Sequence, residues 1–248
     1  MDRIEQSFER YQRQILIDGW GVEGQRKLRA ATVAVVGVGG LGCTSSIQLV
    51  VTGVGKLILI DHDKVSLSDL NRQILYSSPD VGKYKVEVAS VKLRLLNPDV
   101  QVEAYVESVD EENVSFLLKD AEVIVDGLDK WKTRFIINDY CLERRVPFVH
   151  AGVSGFCGQI STILPGKGPC LRCIFPQEPA EKDVVPVLSA TPALLASLQA
   201  MEVIKLLLGI GKPLIGKLLF IDGEESSFEV IDVKINPNCP VCGKMVNE

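Results

Sequence analysis

Apolar residues recur along this chain in two alternating rhythms. Residues 33 to 37 (VAVVG) form a continuous β-branched run, Gly-rich sequence follows, and Leu41, Ile47, Leu49 and Val50 then fall at helical spacing. This predicts strand, tight loop and helix. A second apolar run, Leu57 to Ile60, ends on Asp61, so the unit reads as βαβ with parallel strands and a right-handed crossover. The alternation goes on through a helix over 84–96 stopped before Pro98, a strand over 101–106, a short helix over 111–119, a strand over 122–126, a helix over 131–144 and a strand over 146–150. The pattern then changes. Residues 155–164 alternate like an antiparallel strand, and 216–222 with 227–235 read as a hairpin around Asp222-Gly223. Between them, 191–209 has Pro192 just inside its start and Gly209 at its end, the punctuation of a helix. The expected fold is α/β: a Rossmann-like, doubly wound mixed sheet, parallel in its N-terminal part and antiparallel in its C-terminal part.

Composition narrows the possibilities. With 248 residues, 46% hydrophobic and 24% charged, the chain can build a substantial core, and no linker or low-complexity run divides it. A single domain over 1–248 is expected. The formal net charge of -5 offers no general attraction to nucleic acid or to an anionic membrane, so any phosphate must be held locally. No stretch of about 18 or more apolar residues is read from the chain, and residues 1–11 are too polar for a signal peptide. A cytoplasmic protein is expected.

The candidate chemistry begins at Gly37-Val38-Gly39-Gly40-Leu41-Gly42, between a predicted strand and helix. Glycines there let backbone approach phosphates, and helix N-terminal N–H groups can meet negative charge. Asp61 ends the next strand, where an acidic side chain accepts hydrogen bonds from ribose hydroxyls. The bland alternative is that the glycines only permit close helix–strand packing. By itself the pattern also suits a nicotinamide-dependent dehydrogenase, which has no need of the polar, cationic stretch that follows, Asp61-His62-Asp63-Lys64-Val65-Ser66-Leu67-Ser68-Asp69-Leu70-Asn71-Arg72-Gln73 and Val81-Gly82-Lys83-Tyr84-Lys85.

At these residues the sequence resembles the MoeB/ThiF/HesA family of ubiquitin-activating-enzyme-like adenylating enzymes. The likeness extends to Arg10-Tyr11-Gln12-Arg13-Gln14, Asp126-Gly127-Leu128-Asp129, two C-x-x-C pairs and Ser197-Leu198-Gln199-Ala200-Met201-Glu202. The resemblance implies a helical arm (1–30), a nucleotide-binding core (31–165) and a C-terminal part with a crossover loop (166–248). It implies attack of a carrier protein's C-terminal Gly-Gly carboxylate on the α-phosphate of ATP, with release of pyrophosphate. Gly37, Gly39, Gly40, Gly42, Asp61, Asp63, Ser68, Asp69, Asn71, Arg72, Lys85, Asp129 and Lys130 are the implied nucleotide-binding set. Within it Asp61 matches a ribose binder, Arg72 and Lys85 match phosphate cations, and Asp129 matches an acidic residue associated with Mg2+. Arg13 matches an arginine supplied to the neighbouring subunit, which implies a homodimer. The expected partner is a ubiquitin-like sulfur carrier of the MoaD or ThiS type, with a sulfur donor such as a cysteine desulfurase downstream.

Physical chemistry asks for the same set, because ATP's charges repel an incoming carboxylate unless cations and a metal intervene. Taken singly, Arg72 and Lys85 would be solvated surface residues. Two positions depart from the family pattern, Asp69 in place of Asn and Lys130 in place of the second residue of an Asp-Asn pair. Asp69 should repel ATP unless a cation intervenes; Lys130 is the expected compensator, or else Asp69 joins in metal binding.

Cys170-Leu171-Arg172-Cys173 and Cys239-Pro240-Val241-Cys242 are short knuckles that together supply four sulfurs to a structural zinc; two disulfides or free thiols are the alternative. Residues 176–190 contain no cysteine, so no thioester step is expected on that loop. Cys43, Cys141 and Cys157 are expected to be small core residues. His62 and His150, the latter at the end of a predicted strand, lack the partners of a triad and are expected to be structural or nucleotide-adjacent. Two further functions remain open: a relative activating a small carboxylate on tRNA, and a non-catalytic scaffold of the same fold.

Overall fold

The computed structural model describes residues 8–180 and 184–243. The first seven residues of the expected arm and residues 181–183 of the loop lie outside the described residues, as do residues 244–248 beyond the second knuckle. The chain enters through a 3-10 turn, Glu9–Tyr11, and short helices α1 (Gln12–Ile15) and α2 (Gly21–Ala30). Then come β1 (Thr32–Val36), α3 (Gly40–Thr52), β2 (Lys56–Ile60), α4 (Lys85–Leu96), β3 (Gln101–Tyr105), α5 (Val114–Leu117), β4 (Val123–Asp126) and α6 (Trp131–Arg144). β5 (Phe148–Ser154), β6 (Cys157–Ile163), α7 (Leu171–Ile174), α8 (Ala190–Leu208), β7 (Lys217–Asp222) and β8 (Ser227–Asp232) follow. Three expectations shift: the helix over 111–119 contracts to α5, the strand over 146–150 runs on to Ser154, and the strand over 227–235 stops at Asp232.

The sheet order is β3-β2-β1-β4-β5-β6-β7-β8. β3, β2, β1, β4 and β5 are mutually parallel neighbours, and β6, β7 and β8 join antiparallel. Period-2 alternation explains the unbroken apolar runs of β1 and β2. Val33, Val35, Leu57 and Leu59 enter a core with Leu49, Val86, Leu93 and Leu195 from α3, α4 and α8. Ala34, Val36, Ile58 and Ile60 enter the opposite core with Val114, Phe135 and Ile137 from α5 and α6. A strand covered on both faces has no polar side to show.

One expectation is corrected by α8. Its 18-residue window has a mean hydropathy of 1.4, long and apolar enough to cross a membrane by composition, and half of that window is buried inside the protein. It is read here as a core helix, since Leu195, Ala196, Ala200 and Val203 fill the first core.

The arm is fixed by a buried amide. Asn97 Nδ2 donates to Tyr11 Oη and to Val50 O, both at 2.8 Å, and Gln14 Nε2 donates to Thr52 O at 2.7 Å. The arm thus sits at the C-terminal end of α3. Because a buried donor left unpaired costs about 1–3 kcal/mol, Tyr11→Phe should lower stability by about 1–2 kcal/mol in urea unfolding; an unchanged midpoint would contradict this account of the arm.

Candidate functional site: a crevice between the ends of β1 and β4

β1 stands between β2 and β4, so the helices that follow β1 and β4 leave to opposite faces and open a crevice at their carboxyl ends, where ligands of doubly wound sheets bind. Val36 is in register with Asp126, and the Gly127 N–H donates to Val36 O at 2.8 Å. Here the glycines divide by role. Gly37 has φ +84°, and a Cβ on it would lie 2.5 Å from Gly127 O; one on Gly42 would lie 1.9 Å from Gly37 O. These two satisfy the packing alternative. A Cβ on Gly39 would meet nothing nearer than Gln73 Nε2 at 3.8 Å, so packing does not explain its identity. Gly39 is also the N-cap of α3 and offers no side-chain cap, which leaves first-turn N–H groups for an anion.

The segment after β2 folds back over this loop. Asp61 Oδ2 accepts the Val38 N–H at 2.7 Å and Oδ1 accepts the Asp63 N–H at 2.8 Å, while Tyr76 Oη donates to Val38 O at 2.8 Å. Burial pushes the Asp61 carboxyl up, partly offset by these N–H groups and by Lys85. Lys85 is buried, and its Nζ lies 2.9 Å from Asp63 Oδ2 and 3.9 Å from Asp69 Oδ2. Burial alone would lower its pKa; Asp61, Asp63 and Asp69 outweigh that and hold the ammonium above the ordinary lysine value. Asp63 likewise resists its burial and is held low by Lys85, with help from His62 and Lys130. Arg72 is half-buried beside Gly40, Nη1 donating to Ser68 O at 2.9 Å and to Asn71 Oδ1 at 3.0 Å.

Asp69 behaves differently from expectation. It is 7% exposed, and its carboxylate caps its own 3-10 turn, Leu67–Asp69, Oδ2 accepting from the Ser66 N–H and Oγ (2.9 Å each) and Oδ1 from Gln73 Nε2 (2.7 Å). The cations beside it are Arg72 (3.6 Å) and Lys85 (3.9 Å), rather than Lys130.

Asp61, Asp63, Ser68, Asp69, Asn71, Arg72 and Lys85 therefore gather at the glycine loop. Asp129 and Lys130 are exposed on the loop after β4, at the crevice rim. Arg13 is exposed on α1, at the far end of α3 from the crevice. At 1.5 Å per residue, 13-residue α3 separates them by about 20 Å, so this arginine is remote from its own chain's crevice.

Four residues were not singled out from sequence. Gln73 and Tyr76 support the loop as described. Asp126 and Arg134 are buried in a cluster with His150: Arg134 Nε donates to Asp126 Oδ2 at 2.9 Å, and His150 Nδ1 lies 2.6 Å from the same oxygen. Burial holds His150 below the usual histidine value despite Asp126, toward which its Nδ1 is turned. His150 thus lies inside β5 with a carboxylate partner, whereas His62 is exposed at 3.4 Å from Asp63. An acid ending the run EVIVD was the visible signal for Asp126; nothing in the sequence pointed to Arg134.

The cysteines assemble behind the second core. Sγ separations are 4.0 Å for Cys170–Cys173, 3.6 Å for Cys170–Cys239 and 3.3 Å for Cys173–Cys242, and all four lie within 4.8 Å of one another. Tetrahedral zinc with Zn–S of about 2.3 Å needs edges of about 3.8 Å, whereas a disulfide needs about 2.05 Å. The donor set fits zinc. Burial opposes ionisation of Cys239, but the N–H groups of Cys242 and Val241 bring its thiol down to about 7. α6 anchors the first knuckle through Asn138 Oδ1, which accepts the Leu171 N–H at 2.8 Å, and Asp139, paired with Arg172 at 2.7 Å. Of the single cysteines, Cys43 and Cys141 are core residues, while Cys157 is half-buried at the start of β6.

With this geometry in view, the comparisons are specific. The family model described as the ThiF family matches residues 11–241. The SAMP-activating enzyme E1 of Haloferax volcanii is 42% identical over 95% of this chain and 89% of its own length. The sulfur carrier protein adenylyltransferase of Thermus thermophilus is 42% identical over 96% of this chain and 92% of its own. A crystal structure of E. coli MccB with ATP superposes with a TM-score of 0.85 at 28% identity, over 95% of this chain and 75% of that one.

Two predictions follow from the geometry. Gly42→Ala should cost about 3 kcal/mol or more in urea unfolding, since its Cβ collides with backbone, whereas Gly39→Ala should cost about 1 kcal/mol yet weaken ATP binding about tenfold; equal losses of stability would contradict the division of roles. Metal analysis should return one zinc per chain, and a strong chelator should lower the melting temperature by about 10 °C or more; melting indifferent to the chelator would contradict a zinc role.

Proposed function

Because this chain belongs to the ThiF family, we propose that it is an adenylyltransferase that joins AMP from ATP to the C-terminal glycine carboxylate of a ubiquitin-like sulfur-carrier protein. One observation carries the reading: two cations, Arg72 and Lys85, and a ribose-competent carboxylate, Asp61, gather at an uncapped helix N-terminus. The relative in Thermus thermophilus is named for carrier adenylylation and the E. coli MccB structure was solved with ATP.

In this reading the adenosine ribose lies on Asp61 and the polyphosphate runs across Gly39 and the start of α3. The carrier's carboxylate oxygen attacks the α-phosphorus as the bond to pyrophosphate breaks. No general base is required, since a carboxylate is ionised near neutral pH. Charge must be neutralised and the two anions aligned. Lys85 brings three donors and spends one on Asp63, so donors remain for phosphate oxygens. Arg72 adds a planar fork beside Gly40. Asp129 is the residue that would hold Mg2+, which would draw charge from the polyphosphate.

Arg13 acts in the crevice of a second copy, which makes a homodimer the working form; its distance from its own crevice supports this. Residues 176–190 lack a cysteine, so the acyl-adenylate is the product handed on, with sulfur delivered by another protein. The zinc is structural, tying the chain's end to the knuckle held by α6.

Purified protein with ATP, Mg2+ and a carrier ending in Gly-Gly should catalyse carrier-dependent exchange of pyrophosphate into ATP. Lys85→Ala or Arg72→Ala should each lower the rate by about 100-fold. Exchange supported only by tRNA, or none with any carrier, would overturn the proposal in favour of the tRNA-directed or scaffold reading respectively.

A further inference from the structure

We infer that Arg134 and Asp126 are positioning residues which hold the backbone before Asp129, so that the Asp129 carboxylate is aimed at the glycine loop before any ligand arrives. The inference deepens the proposed function and rests on Asp129 as the magnesium-facing residue.

The peptide units leading to Asp129 are held at Leu128. Its N–H donates to Asp126 Oδ1 at 2.9 Å, and its C=O accepts from Arg134 Nη2. The same guanidinium reaches Asp126 Oδ2 at 2.9 Å through Nε and Ala151 O on β5 at 3.2 Å through Nη2. Trp131 closes over it, with the guanidinium carbon 4.8 Å from the ring centroid. From the helix side, Gln199 Nε2 on α8 donates to Asp126 O at 2.8 Å. Leu128 is therefore referenced to β4, β5 and α6 at once. Asp129 itself is exposed, with no hydrogen bond or ion pair to its carboxylate among the described residues. The backbone is thus what sets the position and outward vector of its Cα–Cβ bond.

A purely structural need would not select this pair. A buried ion pair recovers little of its desolvation cost, and apolar residues of equal volume often stabilise as well. What apolar residues cannot do is grip one residue's backbone at both its N–H and its C=O, and so fix the peptide units on either side of it. Lysine could keep the charge, but it lacks the fork that spans a carboxylate and two carbonyls. Partners of metal-facing groups that fix orientation in this way are worth about 10- to 100-fold in metal affinity.

Calorimetry of ATP binding, with Mg2+ and again in magnesium-depleted buffer free of chelator so that the cysteine site keeps its metal, tests this without turnover. For Arg134→Lys, Mg·ATP affinity should fall about tenfold or more while metal-free ATP affinity stays within about twofold. A folded variant in which both affinities hold, or in which both fall together, overturns the inference. Wild-type protein whose ATP affinity ignores magnesium would sink the role of Asp129 as well, which separates the two failures. Should the variant not fold, hydrogen exchange on wild-type protein decides. The Leu128 amide should be protected about 100-fold or more without ligand, and free exchange there overturns the inference.

Discussion

Two strand ends meet backbone to backbone. Gly37 and Gly127 leave neighbouring parallel strands and press together so closely that a Cβ on either would fall within 2.5 Å of the other's carbonyl oxygen. No side chain stands between them, so the loops that follow diverge from one line: one starts α3, the other carries Asp129. The crevice and the direction of α3 depend on this contact, as does the relation between the uncapped amides of α3 and the rim carboxylate. Sheet order supplies the rest, since β1 sends its helix to one face and β4 sends its helix to the other.

Electrostatics then fills the crevice asymmetrically. Three carboxylates, Asp61, Asp63 and Asp69, surround one buried ammonium, Lys85, and keep it charged against the cost of burial. Two of them are already committed, Asp61 to the Val38 N–H and Asp69 to its own turn, so they shape the loop as well as the field. The chain carries a net charge of -5, yet Arg72 and Lys85 lie together beside the glycine loop. Any affinity toward a polyanion must therefore come from local arrangement rather than overall charge.

Legibility in the sequence followed the range of the forces involved. Strands buried on both faces, a helix bracketed by Pro192 and Gly209, and a glycine loop followed by an acid are local signals, and the corresponding elements lie within a few residues of expectation. The cysteine pairs were legible because their spacing reflects one small donor sphere. What stayed hidden depended on side chains meeting from distant segments. Asp69 could be seen as an anion near phosphates, but not that Ser66 and Gln73 would turn it inward. Nor could periodicity show that Arg134 on α6 reaches back under Leu128, or that His150 lies inside β5 against Asp126. α8 was underestimated as an apolar helix because Gln199 and Glu202 interrupt it; both are buried and hydrogen-bonded, Gln199 to Asp126 O and Glu202 to Thr162 Oγ1.

The central claim is that one crevice gathers Asp61, Arg72, Lys85 and Asp129 around a nucleotide. A crystal structure of the protein grown with a non-hydrolysable ATP analogue and Mg2+ tests it most directly. The account predicts the ribose on Asp61, the α-phosphate between Arg72 and Lys85 at the start of α3, and the metal on Asp129. A nucleotide bound elsewhere, or a crevice that accepts a nicotinamide dinucleotide in place of the analogue, would contradict it.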